Sequence, residues 1–216
     1  MKRRYCTPLN WQPSDSECIL EPVRRYGPYL LFLVLVLADQ ALKLWTVSHW
    51  QQMGWPSGPP GPTSPHLPVI PGFLDFVLTY NTGAAWSLFS GAALPLALLR
   101  IAVGIGILMY LWRMAQPLKT AHWTARAYPY VLAIIAVGAV GNAIDGLYQG
   151  KVTDMLYSYP LSWINQRING QNFPIFNIAD SCVVGGVIFL LLLSLLEGRK
   201  KTPPVVSSSS TPEEQR

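Results

Sequence analysis

Three apolar runs in this chain, residues 94–112, 128–147 and 178–196, each hold close to the number of residues that a helix needs to cross a bilayer. A helix rises 1.5 Å per residue, so about 20 residues span the ~30 Å hydrocarbon layer. A fourth run, residues 29–45, is interrupted by Asp39 and Lys43 and is the weakest of the set. Charged residues make up only 12% of the 216, whereas a soluble domain carries about 25%. Half of the residues are hydrophobic, so lipid is the expected solvent and one compact unit the expected organisation.

The net charge of +5 does not point to nucleic acid. The basic residues gather at the ends of the apolar runs and are not interleaved with aromatics on a polar surface, so no nucleic-acid partner is expected. Cys6, Cys18 and Cys182 form no disulfide framework, and His49, His66 and His122 lie far apart, so neither a metal site nor a cofactor is expected.

Arg24 and Arg25 ahead of the apolar residues 30–38 also resemble the start of a secretory signal peptide. No small-x-small cleavage pattern follows, which favours a retained span. Flanking charge sets the orientation. Lys2, Arg3, Arg4, Arg24 and Arg25 precede the first run; Arg113, Lys119 and Arg126 separate the second from the third; Arg199, Lys200, Lys201 and Arg216 follow the fourth. The loop 48–93 has no Lys or Arg, and the loop after the third run has only Lys151 and Arg167. The positive-inside rule then places both termini in the cytoplasm and these two loops outside. The expected fold is a membrane all-α bundle of four transmembrane helices with a small extracytoplasmic β element. Residues 1–27 form a cytoplasmic segment, 28–197 the membrane domain and 198–216 a disordered tail. Within the loop, residues 54–68 are rich in Pro, Gly and Ser and read as an insert, while the β-branched and aromatic residues of 69–80 predict a short hairpin or sheet.

Ionisable groups at membrane depth are costly and rare. Asp39 and Lys43 share a helix face four residues apart, as an ion pair or as substrate contacts. Asn81, followed by Gly83 and two alanines, suits either a tight turn or a grip on the main chain of an extended peptide. Gly141 permits close helix packing, Asn142 can staple two helices, and Asp145 can orient a neighbour or bind backbone amides. Asp180, three residues after Asn177, fits the start of a helix with Asn177 as its N-cap. Asp154, alone, reads as a loop carboxylate. Placed on one membrane face, at the ends of adjacent spans, Asp154 and Asp180 become candidates for shared chemistry. Two neighbouring carboxyls cannot both ionise readily, so they hold one proton between them. One activates water and the other supports the carbonyl oxygen, which suffices to hydrolyse a peptide bond. No Gly-x-Ser-x-Gly, His-Glu-x-x-His or Gly-x-Gly-Asp sequence offers a competing chemistry.

Over residues 29–196 the chain resembles the lipoprotein signal peptidase (signal peptidase II) family. The likeness rests on Asp39-Gln40-x-x-Lys43, Asn81-Thr82-Gly83-Ala84-Ala85-Trp86, Gly141-Asn142-x-x-Asp145, Val152-x-Asp154 and Phe176-Asn177-x-Ala179-Asp180-Ser181, in that order. The resemblance implies a catalytic dyad at Asp154 and Asp180, with Asp39, Lys43, Asn81, Gly83, Asn142, Asp145 and Asn177 binding substrate or supporting the site. It implies a bacterial inner-membrane aspartyl endopeptidase that cuts prolipoproteins just before a diacylglyceryl-modified cysteine. Its partners are then that substrate and membrane lipid, and a monomer is expected. The chain departs from the family pattern at Gly146, where Arg is usual, and at Thr153 and Met155 beside the first aspartate. A non-catalytic membrane protein that binds lipoprotein precursors is the alternative. A small transporter is a weaker one, since no inverted repeat is visible.

Overall fold

Helices α1 (Asp15–Met53), α2 (Ala93–Met114), α3 (Trp123–Gln149) and α5 (Ile178–Gly198) form a bundle in the computed structural model, which describes residues 15–58, 65–82, 93–114 and 123–198. Each contains a stretch long and apolar enough to cross a membrane: Arg25–Met53, Leu94–Met114, Trp123–Gln149 and Ile178–Glu197. The first is much longer than the apolar run at 29–45, because the Asp39–Lys43 interruption is absorbed inside the bundle and does not end the helix. Leucines and aromatics such as Leu98, Leu99, Trp112, Phe189 and Leu195 stay exposed. In water such a surface would aggregate; in lipid it is the solvated face.

Helix α3 is the centre of the bundle and packs against α1, α2 and α5. Small residues make that possible. A Cβ on Gly141 would lie 2.9 Å from Asp39 Oδ2 and 3.0 Å from the Ala179 Cβ, and one on Gly138 would collide with Val183. Three helices therefore approach closely just where their polar residues sit. Pro129, within α3, cannot donate to the Ala125 carbonyl one turn earlier, and the helix continues past it.

One end of the bundle is capped by a three-stranded antiparallel sheet, in the order β1 (Leu67–Ile70), β2 (Leu74–Asn81), β3 (Val152–Ser158). The expected hairpin at 69–80 is present as β1 and β2. The third strand is an addition: Asp154 does not sit in a solvated loop but on β3, opposite Thr79 of β2. Six of the seven β3 residues are buried. That explains why Val152-Thr153-Asp154-Met155 shows no in–out alternation, since both faces of the strand are covered. Of the insert, residues 59–64 lie outside the described residues, and Gly58 donates its N–H to Leu78 O at 2.8 Å.

A further helix, α4 (Tyr159–Asn169), was not foreseen. Ser158 caps its start by accepting the Leu161 N–H, and Gly170 ends it in the left-handed region at φ 70°. Leu161, Trp163, Ile164 and Ile168 are exposed on it, an apolar stripe suited to a membrane surface. The Tyr159 hydroxyl donates to the buried Asp75 Oδ2 at 2.7 Å, fastening α4 to β2. That bond, helped by burial, pushes the phenol up to about 12. Near the sheet end of α1, Trp45 stacks on His49, while His49, Trp50 and Trp55 meet edge-on, with Trp50 buried.

Candidate functional site

All the described candidate residues except Asn81, Asp154 and Asn177, which immediately precedes α5, lie on helices α1, α3 and α5, and all gather at the sheet end of the bundle. The gathering has a local cause. Phe176 bridges to Leu156 of β3, exchanging N–H and C=O groups at 2.7 Å and 3.1 Å. The residue after Phe176 is Asn177, so this bridge delivers the start of α5 to the side of Asp154.

Asn177 then plays two parts. As N-cap, its Oδ1 accepts the Asp180 N–H at 2.8 Å, and Asp180 Oδ2 accepts the Asn177 N–H at 3.1 Å. This reciprocal pair is a capping box, which satisfies two of the helix's unpaired donors. Its Nδ2 donates to Asp154 Oδ1 at 2.7 Å and to Asn142 Oδ1 at 2.9 Å. Asn142 Nδ2 donates in turn to Asp180 Oδ1 at 2.7 Å. A chain of amides thus links the two aspartates: Asp154, Asn177, Asn142, Asp180. The capping role expected of Asn177 and the gathering of the acidic pair are one arrangement.

Behind this chain lies a second cluster. Lys43 Nζ is 2.8 Å from Asp39 and 3.3 Å from Asp145, and it donates to Asn142 Oδ1 at 3.1 Å. Asp39 is fully buried and Lys43 is 3% exposed, so the charges meet with almost no water. Both carboxylates find additional donors. Ala179 N–H, in the first turn of α5, reaches Asp39 Oδ1 at 3.0 Å, and Thr153 N–H reaches Asp145 Oδ2 at 2.8 Å. Helices α1, α3 and α5 and strand β3 are tied through one lysine. Gln40 adds bonds to Asp39, Asp145 and Gly141 O. It was visible in the sequence as part of the Asp39-Gln40 pair but was given no role. Among the described residues, no buried polar side-chain atom lacks a partner.

The acidic pair faces open space. A cavity of about 490 Å³ is lined by Asn81, Asn142, Asp154 and Asp180 on its polar side and by residues such as Val103, Ile135 and Val184 on its apolar side. Burial, and next the neighbouring Asp180 carboxylate, push Asp154 up to about 8. Gly83 lies outside the described residues. Arg100 of α2 also lines the cavity, a residue that had not been singled out.

Four apolar helices, a capping sheet and two carboxylates on a common cavity define a polytopic membrane protein with an acidic site at one end of its bundle, the layout of an intramembrane hydrolase. The family model for signal peptidase (SPase) II matches residues 31–196. The chain belongs to the signal peptidase II family. A lipoprotein signal peptidase of Deinococcus radiodurans is 53% identical over 161 residues, covering 74% of this chain and 75% of that protein. One from Xanthomonas oryzae pv. oryzae is 38% identical over 165 residues, covering 74% and 84%. A solved bacterial membrane enzyme is similar with a TM-score of 0.60 at 25% identity, covering 83% of this chain and 94% of its own. A second gives 0.55 at 28% identity, covering 82% and 94%.

Proposed function

We propose that Asp154 and Asp180 are the catalytic pair with which this peptidase removes signal peptides from diacylglyceryl-modified prolipoproteins. The observation that carries the reading is the shared cavity. Two carboxyls from different elements line it, joined by amides and with no basic side chain paired to either among the described residues.

The proton's position follows from the donors. Both oxygens of Asp180 accept N–H bonds, from Asn142 and from Asn177. Of Asp154, only Oδ1 is bonded among the described residues, which leaves Oδ2 to carry hydrogen. With Asp154 held up to about 8, the proton of the pair resides there at neutral pH. The Asp180 carboxylate then draws a proton from water as that water attacks the scissile carbonyl. Asp154 donates its hydrogen bond to the carbonyl oxygen, where negative charge develops. Collapse of the tetrahedral intermediate sends a proton to the leaving amine and restores the starting state.

Asn81, at the end of β2 and on the cavity wall, holds the main chain of an extended substrate in this reading, a role that the sequence motif alone extends to Gly83. Asp39, Lys43, Asn142, Asp145 and Asn177 position the pair. The sheet end of the bundle faces outward and both termini face the cytoplasm, as the distribution of basic residues favours. The enzyme acts as a monomer in the bacterial inner membrane, and membrane lipid contacts the exposed helix faces.

The test is a cleavage assay with purified protein and a diacylglyceryl prolipoprotein. Asp154→Asn and Asp180→Asn should each lower turnover at least about 10³-fold, while the variants extract and elute like wild type. Full cleavage by either variant, or stoichiometric binding by wild type with no product, would contradict the reading.

A further inference from the structure

Arg100 stands apart from every other basic residue in the spans. Arg25, Arg113 and Arg126 lie within four residues of a span end, where a long side chain reaches the headgroups. Lys43 and Arg100 lie deeper. Lys43 is bound by two carboxylates and an amide oxygen. Arg100 has no hydrogen bond or ion pair among the described residues, although it sits six residues from the start of the span Leu94–Met114, roughly 9 Å along the helix. Its side chain is half-buried and lines the same cavity as the acidic pair, between Leu99 and Val103 of α2. An ionised group at membrane depth without a protein partner is rare and costly, so its partner is to be sought in what fills the cavity.

We infer that Arg100 is a substrate-positioning residue that donates hydrogen bonds to carbonyl oxygens of the segment bound in this cavity. A guanidinium offers five N–H donors and no acceptor, so it needs oxygens. An extended peptide awaiting cleavage has main-chain carbonyls without helical partners, and a glyceryl ester has two more. In an apolar cavity each of these is penalised unless a donor meets it. Neutral oxygens fit better than phosphate here, because the polar wall already holds the acidic pair. Arg100 forms no ion pair with Asp154 or Asp180, so it acts on binding and leaves the chemistry to the pair. The inference rests on the cavity being the substrate site proposed above.

The experiment measures KM and kcat for wild type, Arg100→Leu and Arg100→Lys in phospholipid-free detergent, with a diacylglyceryl prolipoprotein. The expected result for Arg100→Leu is a KM raised about 10-fold to 100-fold with kcat within about threefold, the signature of lost uniform binding. Arg100→Lys should recover part of the loss, and thermal midpoints should match wild type. If Arg100→Leu does not fold, Arg100→Gln carries the same test, since it keeps two donors without the charge. A dialkyl-ether precursor separates the two oxygen sources: a persisting KM effect assigns the peptide carbonyls, and a vanished one assigns the glyceryl esters. Wild-type KM in a folded variant overturns the inference. So does a KM effect that appears only when anionic phospholipid is added. Failure of wild type itself to cleave would strike the proposed function and not this residue.

Discussion

Two acidic clusters occupy the same end of the bundle, and they differ in what balances them. Asp39 and Asp145 share Lys43, and each also accepts a backbone N–H. Among the described residues, Asp154 and Asp180 have only amide donors, and they face an open cavity. In the first cluster, charge is cancelled and the carboxylates serve as fasteners between helices. In the second it is left uncancelled, and burial lifts Asp154 to where a proton can be kept at neutral pH. Equal residue types at one end of one fold thus acquire different work from their counter-charges alone.

Breaking the first cluster should produce a large effect at every pH. Lys43→Met leaves two buried carboxylates without their cation, and removing one partner of a buried ion pair costs about 3–5 kcal/mol. The expected outcome is a large drop in thermal midpoint and poor recovery of folded protein in detergent. A Lys43→Met protein with a wild-type midpoint would dissolve the contrast between the clusters.

The second cluster should show itself gradually, through pH. Burial holds Asp154 near 8 in the folded protein against an ordinary 3.8, so between those limits the folded protein keeps a proton that the unfolded chain has released. Stability from this site is therefore highest at low pH and falls as pH rises toward 8, by at most about 1.4 kcal/mol per pH unit. Asp154→Asn removes that dependence. Its midpoint relative to wild type should rise from pH 5 to 8 and level off beyond. A constant difference across that range would show that Asp154 titrates normally.

Much of this was legible in the sequence, and the gaps have physical causes. The spans announce themselves because lipid exposure demands unbroken apolar helices. Asp39 and Lys43, four apart on one face, were readable as a pair, although the interruption they cause concealed how far α1 extends. Asn177 and Asp180 were readable as a helix start. Strand β3 was not, because a strand covered on both faces loses the alternation by which strands are recognised. Helix α4 begins with Tyr-Pro and carries Asn and Gln among its apolar residues, so it passes for a loop until its caps at Ser158 and Gly170 are seen. The Asp145–Thr153 bond, which ties α3 to β3, was legible from its acidic side, since Asp145 suits backbone amides, but the N–H that it takes leaves no trace in residue identity. Arg100 was in plain view within an apolar run, yet only the cavity makes it informative.

The proton assigned to Asp154 can be observed directly. Infrared difference spectra of the wild-type protein, taken as pH is raised from 6 to about 9, should lose a protonated-carboxyl C=O band with a midpoint near 8, and Asp154→Asn should lack that band. A wild-type spectrum without such a band at pH 6, or the same band undiminished in Asp154→Asn, would contradict the account.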